Sequence, residues 1–321
     1  TGAAQTKILA WVREFDDEIR ISKAIEDSYG NFYLTGNFIG TRDFDPGPGE
    51  AIIASGSDFS RDGFVMKLNP DGEFIWVKQI KSSDINYNAD INPLEIQLGT
   101  GNEILVSGTS YTTADFGGAS ILPGVFLAKY SVNGEFFHAR KIHNTGGLLG
   151  VGRLIRQEAD GSLYYAGTFQ GSQDFDPSEE GEFFLSTNTF SSPYLLKTDA
   201  AGNFLWATSW YVSMSPSFDQ NGNLFISGTY DGRFQNDPVT GKPVLIRNQY
   251  SYESQSGLLA RVDPVNGELI WIKYNPAGTI RIDNTGNIFS YGVANGQPDF
   301  DPDPDNEYYL AGHAYHYFIQ K

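Results

Sequence analysis

The segment Gly30-Asn-Phe-Tyr-Leu-Thr-Gly36, a short apolar strand between two glycines, decides the fold because it recurs four more times. The other copies are Gly101-Asn-Glu-Ile-Leu-Val-Ser-Gly108, Gly161-Ser-Leu-Tyr-Tyr-Ala-Gly167, Gly222-Asn-Leu-Phe-Ile-Ser-Gly228 and Gly286-Asn-Ile-Phe-Ser-Tyr-Gly292. Their closing glycines lie 72, 59, 61 and 64 residues apart. A repeat of this length indicates that one small unit of sheet is built five times along the chain.

Each copy is followed by a strand in which an aromatic residue or leucine stands three residues before a basic residue. These pairs are Phe64 and Lys67, Phe126 and Lys129, Tyr194 and Lys197, Leu258 and Arg261, and Phe318 and Lys321. The first four pairs lead into a glycine-containing turn, where glycine accepts positive φ, and then into a strand with Trp or His in its middle. With a weaker strand before each copy, the pattern predicts four antiparallel strands per unit.

The fifth unit lacks a fourth strand, and the segment 7–15 at the other end of the chain carries one, with Trp11 placed as Trp76 is in the first unit. A closed ring would let this segment complete the last sheet and remove an exposed edge. We therefore predict an all-β, five-bladed β-propeller of four-stranded antiparallel blades, with an open β-solenoid as the alternative. The single domain covers 1–321, with blades at 19–80, 92–142, 151–210, 212–275 and 277–321 plus strand 7–15.

A second motif lies in the long stretch between the second and third strands of a unit. It reads Asp43-Phe44-Asp45-Pro46 in the first unit, Asp174-Phe175-Asp176-Pro177 in the third and Asp299-Phe300-Asp301-Pro302 in the fifth. The second unit keeps only Asp115-Phe116, and the fourth has Asp237-Pro238. Together with the strand pattern, the motif resembles the Asp-Phe-Asp-Pro-Gly repeat proteins related to the bacterial β-propeller repeat (SBBP) family, over essentially the whole chain.

This resemblance implies a secreted or cell-surface bacterial protein whose signal peptide has been removed. It implies no defined activity, because most members of the family have no assigned biochemical role. The family name suggests seven blades, whereas the repeats in this chain number five.

Composition and charge exclude several classes of function. The chain has 39 acidic and 22 basic residues and a net charge of -17, which repels phosphate backbones, so we expect no nucleic-acid partner. No run of about 18 apolar residues is present, so we expect no membrane insertion. The absence of cysteine rules out disulfides, thiolate metal sites and a cysteine nucleophile. We expect the protein to be a monomer.

The Asp-Phe-Asp-Pro motif allows two interpretations, because alternation along an extended segment puts both carboxylates on one side and the ring on the other. In the first, the ring wedges beneath the loop and the carboxylates accept backbone N–H groups. In the second, the carboxylates bind Ca²⁺, a hard cation that takes six to eight oxygen ligands. The candidate ligands are Asp299, Asp301, Asp303 and Asp305 first, then Asp43, Asp45, Asp174 and Asp176.

Two further series recur once per unit. Trp11, Trp76, Trp206 and Trp271 occupy one position, either as aromatic platforms for sugars or, as is commoner, as packing between blades. The basic residues that follow the third-strand aromatic are expected to be solvated or ion-paired rather than to form an anion site. No nucleophile elbow, phosphate loop or zinc-protease motif is present.

An enzyme would need acids that converge near the axis, where the first strands lie. The candidates are Glu26, Asp27, Glu95, Glu158, Asp160, Asp219 and Asp283. Most of them stand just before the recurring turn glycine, a position that favours turn capping, so an enzyme is the less favoured hypothesis.

The irregular loops break the repeat symmetry and suit a polar ligand, because exposed tyrosines stack on sugars while amides bond hydroxyls. Tyr87, Asn248, Tyr250 and Tyr252 are the predicted binding residues. We therefore predict a binding or adhesion module that recognises a glycan or protein ligand on its loop-rich face. The alternatives are a carbohydrate-active enzyme with carboxylates near the propeller axis, and a structural spacer in a larger surface protein.

Overall fold

The computed structural model describes residues 10–83, 90–144, 150–178, 181–210, 215–230, 232–236, 242–247, 256–274, 279–295, 300–301, 308–310 and 315–321. Within these ranges the chain forms β-strands and turns and contains no helix, as predicted. By its contacts the chain divides into two compact units. The first holds Thr1–Asn188 and Thr198–Phe204, and the second holds Thr189–Lys197 and Leu205–Lys321.

The strands follow the five sequence repeats, which we call modules 1 to 5. Module 1 contains β1 (Ile19–Glu26), β2 (Phe32–Phe38), β3 (Thr41–Asp43), β4 (Ile52–Ala54), β5 (Asp62–Leu68) and β6 (Phe74–Ser82). Module 2 contains β7 (Ile91–Leu98), β8 (Glu103–Ser110), β9 (Ala114–Asp115), β10 (Ser120–Ile121), β11 (Gly124–Ser131) and β12 (Phe136–His143). Module 3 contains β13 (Val151–Gln157), β14 (Leu163–Phe169), β15 (Ser172–Asp174), β16 (Phe184–Ser186), β17 (Ser192–Thr198) and β18 (Phe204–Thr208).

The last two modules repeat this order. Module 4 contains β19 (Ser215–Phe218), β20 (Leu224–Tyr230), β21 (Gly232–Asn236), β22 (Pro243–Arg247), β23 (Ser256–Val262) and β24 (Leu269–Tyr274). Module 5 contains β25 (Thr279–Ile282), β26 (Ile288–Asn295) and β27 (Tyr315–Gln320). Of the predicted strand 7–15, residues 10–15 are described and are irregular rather than a strand.

Modules 1 to 4 each form a four-stranded antiparallel meander, as the sequence predicts. The orders are β1-β2-β5-β6, β7-β8-β11-β12, β13-β14-β17-β18 and β19-β20-β23-β24, and module 5 has the three strands β25-β26-β27. We call the segment between the second and third strands of a module its insert. In modules 1 to 4 the insert contains a short two-stranded ribbon: β3-β4, β9-β10, β15-β16 and β21-β22. The β9-β10 ribbon also adds to the outer edge of β6.

The closing glycines of the first three repeats have a packing reason that the sequence alone does not show. Gly108 pairs with Phe126 on one side and with Pro93 on the other, where the first strand carries a β-bulge. A Cβ built on Gly108 would lie well inside van der Waals contact with the carbonyl oxygen of Asn92. Gly36 and Gly167 meet a first-strand carbonyl in the same way. Only glycine leaves room for this close approach of two backbones.

The core of the first unit lies between neighbouring sheets. Tyr33, Val65 and Ile80 of module 1 pack in one cluster with apolar residues of module 2, including Ile104 and Phe126. The middle strands β2, β5, β8 and β11 are buried on both faces along most of their length. The packing fixes the first strands of adjacent modules side by side, since β1 contacts β7 and β7 contacts β13.

Candidate functional site

Several predicted site residues lie outside the residues that the structure describes. They are the four loop residues Tyr87, Asn248, Tyr250 and Tyr252, and the acidic residues Asp299, Asp303 and Asp305. The described candidates are Asp43, Asp45, Asp174, Asp176 and Asp301.

In modules 1, 2, 3 and 5 the phenylalanine of the Asp-Phe motif closes the base of the insert with a buried ring. Phe44 is fully buried and packs edge-on against Phe38 and Phe64, on the second and third strands of its sheet. Its N–H donates to the carbonyl of Ala51 across the ribbon. The equivalent bonds run from Phe116 to Ala119, from Phe175 to Phe183 and from Phe300 to Tyr308. The wedge interpretation of the ring is therefore confirmed.

The carboxylates of the motif hold the backbone of the insert. Asp43 Oδ1 accepts the N–H groups of Asp45 at 3.0 Å and Ala51 at 2.8 Å. Asp174 Oδ1 accepts those of Asp176 at 3.0 Å and Phe183 at 2.9 Å. The bonds from Ala51 and Asp45 lower the pKa of Asp43 below its ordinary value. These carboxylates therefore stiffen the insert whether or not a metal is bound.

The described part of the chain contains no group of three or more His, Asp or Glu side chains placed to hold a metal ion. Calcium at the Asp-Phe-Asp-Pro loops stays a prediction. Thermal unfolding with millimolar Ca²⁺ and with a chelator tests it, because an ion that binds only the native state raises stability by mass action.

The inserts of modules 1, 2, 3 and 5 expose apolar side chains that sequence analysis did not select. Module 1 exposes Ile52 and Phe59, and module 2 exposes Leu122. Phe59 is 68% exposed and lies five residues before Phe64. The same kind of residue recurs in modules 3 and 5, at Phe183, Phe184, Phe190, Tyr308 and Tyr309. We call these eight residues the insert tips. The available signal was a large apolar residue inside a Gly-, Ser- and Asp-rich stretch.

Three acids considered for catalysis are instead turn residues. Asp219 Oδ1 accepts the N–H groups of Asn221 and Asn223, and its Oδ2 accepts the Asn223 side-chain amide at 2.6 Å. Hydrogen bonds with Asn31 and Asn287 give Asp27 and Asp283 the same role. The Asn223 bonds outweigh a desolvation that raises the pKa of Asp219, so that this pKa is lowered. A carboxylate held in this way caps a turn and is not poised to move a proton.

The tryptophans pack between elements and form no exposed platforms among the described residues. The Trp11 ring lies on Gly72 in the turn after β5, and Trp76 lies on Gly134 in the turn after β11. Trp206 lies on Gly267 in the turn after β23. Trp11 and Trp206 also donate Nε1–H to the carbonyls of Pro70 and Pro264. The packing interpretation holds for these three residues.

The basic series departs from expectation. Lys67 is buried and its Nζ donates to the carbonyl of Val132 at 3.2 Å, in the turn on which Trp76 packs. Lys197 donates to the carbonyl of Pro264 at 2.9 Å. Both lysines thus donate to a carbonyl of the turn on which a tryptophan of the preceding module packs. Lys129 remains 4.0 Å from Glu103, an ion pair as predicted.

Glu95 is the one acid of the catalytic set that joins different modules among the described residues. Its Oε1 lies 3.6 Å from Lys23 Nζ on β1, and its Oε2 lies 4.0 Å from Arg153 Nε on β13. Burial raises the pKa of Glu95 above its ordinary value, although Lys23 and Arg153 pull it down. Sequence analysis named Glu95 but missed both bases, whose signal was basic residues on the first strands of a strongly acidic chain.

Comparison with known proteins gives no relative: no protein-family model and no curated protein matches the chain. No helix long and apolar enough to cross a membrane occurs in the described residues.

Proposed function

We propose that the five modules form a closed, five-bladed β-propeller in which the N-terminal segment supplies the fourth strand of the last sheet. The support is the position of Trp11. Trp76 and Trp206 stand on fourth strands and pack on the third-to-fourth turn of the following module. Trp11 packs in the same way on the corresponding turn of module 1. It thus behaves as the tryptophan of a fourth strand that precedes module 1, which in a ring is the fourth strand of module 5.

This proposal fixes a register. Lys67 pairs with Trp76 and Arg261 pairs with Trp271, so Lys321 should pair with Trp11. Val65 pairs with Lys78, two residues away along each strand, so Ile319 should pair with Arg13. The chain has no cysteine, and any disulfide between two introduced cysteines is therefore unambiguous.

The test is oxidation of the double variant R13C/I319C, with R20C/I319C as the out-of-register control. Closure predicts an intramolecular disulfide in the first variant, detected as a mobility shift without reductant, and none in the second. Equal cross-linking in the two variants, or cross-links only between chains, would contradict a closed ring.

For the function, we propose that the protein is a binding or adhesion module whose ligand, a glycan or a protein surface, contacts the insert tips. The observation that carries this proposal is a combination of rigidity and exposure. In modules 1, 2, 3 and 5 the insert base holds a buried phenylalanine and paired backbone, while the tips present aromatic and aliphatic side chains to solvent. Rigid loops that present apolar rings with polar neighbours suit recognition, because little conformational freedom is lost on binding.

The two ends of a sheet carry different kinds of surface. In an antiparallel meander, the inserts and the links between modules leave one end of the sheet, and the tight turns leave the other. The tight turns are built by repeated Asp, Asn and Gly, whereas the insert end carries all eight insert tips. Glycans are the favoured ligand class, because aromatic rings stack on the C–H faces of sugars. The resemblance to exported repeat proteins supports a secreted or surface location.

A glycan array, paired with hydrolysis assays, tests the function on the whole chain. The variant is F59S, and its matched control is Y29S, which removes an 81% exposed ring from the tight-turn end of the same module. We expect F59S to lower the signal of the best array ligand and Y29S to leave it unchanged. Equal signals from F59S, Y29S and the unaltered protein would remove the insert tips from recognition, and product release would instead indicate an enzyme.

A further inference from the structure

The contacts within the cluster Lys23, Glu95 and Arg153 are longer than those of two ion pairs in the same unit. Arg61 lies 2.7 Å from Glu18, and Arg156 lies 2.8 Å from Glu158, both at hydrogen-bond distance. The contacts at Glu95, 3.6 and 4.0 Å, are beyond that distance. The cluster therefore holds its partners loosely, and a ligand can enter without breaking a tight pair.

The two bases face solvent while the acid is enclosed. The side chains of Lys23 and Arg153 are 47% and 55% exposed, and that of Glu95 is 14% exposed. Apart from their ion pairs with Glu95, neither Lys23 nor Arg153 makes a side-chain hydrogen bond to a residue that the structure describes. Their N–H groups are thus available on the solvent side of a carboxylate that is fixed between three sheets.

A third cation lies on the same side of the first sheet. Arg20 pairs with Asn37 and Lys23 pairs with Thr35, and residues two apart on β2 point to one face. Glu18, whose pKa Arg20 helps to lower, is held by Arg61. The cluster itself has two cations and one carboxylate, in a chain whose net charge is -17. A local excess of positive charge attracts an anion.

The cluster forms at one position of the repeat, where the first strand pairs with the residue before the closing glycine. The pairs are Lys23 with Thr35, Glu95 with Ser107 and Arg153 with Ala166. One position thus holds a cation, an anion and a cation in successive modules. A scaffold requirement would give similar residues at this position, so the difference points to a role outside the scaffold.

We propose that Lys23, Glu95 and Arg153 form a binding site for a hydroxy acid, of which a sugar acid such as a uronate is the class that fits. The Arg153 guanidinium presents a fork that matches a carboxylate, and Lys23 adds a second charge. Glu95 accepts hydrogen bonds from the hydroxyl groups beside that carboxylate. A doubly charged phosphate would meet the like charge of Glu95 at close range, so a singly charged carboxylate is preferred. The site is separate from the insert tips and does not rest on their function.

Calorimetric titration of the whole protein with D-glucuronate, D-glucose and inorganic phosphate tests this site. We expect saturable binding of glucuronate that weakens as salt is added, no binding of glucose, and weaker binding of phosphate. R153Q should reduce the affinity for glucuronate by about tenfold or more. The matched control is R156Q on the same strand, whose arginine is held by Glu158, and it should keep the affinity.

E95Q gives a readout that a purely structural role would not produce. It removes the charge that repels phosphate and weakens the acceptor for hydroxyl groups. We therefore expect it to strengthen phosphate binding and to weaken glucuronate binding. Absence of saturable glucuronate binding, equal losses in R153Q and R156Q, or a change in the same direction for both anions in E95Q would overturn the proposal. Thermal unfolding of each variant checks that the fold is kept.

Discussion

The tight turns and the first strands of the modules are neighbours along the chain, but the turns keep similar residues from module to module and the first strands do not. The turn after the first strand is built alike in modules 1, 4 and 5, by an aspartate that accepts the same backbone and side-chain N–H groups. The first strands carry Lys23, Glu95 and Arg153 at one position of the strand pairing. Residues that the sheet requires are thus the same in several modules. Positions whose residue differs between modules are available for ligand recognition. Substitution of a residue should lower stability if the sheet requires that residue, and should leave stability nearly unchanged if the residue serves recognition.

The largest loss of stability is expected when a buried side chain of the repeated scaffold is removed. Phe44→Ala removes a fully buried ring between Phe38 and Phe64 and should cost about 4 kcal/mol in the free energy of unfolding. Phe59→Ala, in the same insert but 68% exposed, should change it by less than about 0.5 kcal/mol. Denaturant unfolding measures both variants. Similar losses would mean that the insert tip belongs to the scaffold.

A slightly smaller loss is expected at a closing glycine. Gly108→Ala drives a methyl group into the carbonyl of Asn92, so β7 must move, at a cost of about 3 kcal/mol. The control is Gly117→Ala, which has φ of 81° but no atom within 4 Å of the new Cβ. It should cost only the backbone strain, about 1 to 2 kcal/mol. A Gly108 variant no less stable than the Gly117 variant would show that the close approach of the strands is not required.

The acid sensitivity of the fold should depend on one buried residue that is not repeated. His143 is buried against Phe175, and burial lowers its pKa to about 4. The unfolded chain takes up the proton near the ordinary value, so stability is complete above about pH 6.5 and falls as the pH is lowered towards 4. The loss at pH 4 should reach about 3 kcal/mol.

The experiment is unfolding of H143F and the unaltered protein between pH 7 and 4. Phenylalanine keeps the stacking on Phe175 and removes the titrating group, so the pH dependence should flatten over this range. Subtracting the two curves removes the contribution of the carboxylates. H138Q, which alters a partly exposed histidine on the same strand, should retain most of the slope. Parallel curves for H143F and the unaltered protein would assign the acid sensitivity elsewhere.

The sheets were predictable from the sequence because their period and their turn glycines are local properties. Phe64 opposite Gly36 and Phe126 opposite Gly108 follow from the spacing of the repeat. The reason for the closing glycines was not predictable, since it depends on a bulge in the preceding strand.

The candidate sites were harder to predict for the same reason. The contact of Lys23 and Arg153 with Glu95 joins residues about 60 to 70 positions apart in sequence, and their proximity is set by packing between sheets. The role of Asp27 and Asp219 could be read from the Gly and Asn that follow them, because turn capping is local.

Replacing a carboxylate with an amide at Asp219 and at Glu95 compares a residue of a tight turn with a residue of the proposed binding site. In Asp219→Asn, the Oδ2 that accepts the Asn223 amide is replaced by a donor, so two donors face each other. The loss should be about 2 kcal/mol at pH 7, since hydrogen bonds to charged groups contribute about that much. Denaturant unfolding measures it, and a loss below the error of the method would mean that the turn does not need its carboxylate.

Glu95→Gln should have the smallest effect of all on stability, within about 0.5 kcal/mol of the unaltered protein. Partial burial destabilises its carboxylate, and the ion pairs with Lys23 and Arg153, at distances too long for hydrogen bonds, offset part of that cost. Removing the charge therefore changes the free energy of unfolding little. The shape of the side chain is kept, and no turn depends on it. If this variant loses as much stability as Asp219→Asn in the same denaturant experiment, Glu95 belongs to the scaffold, and the difference between modules at its position reflects packing rather than recognition.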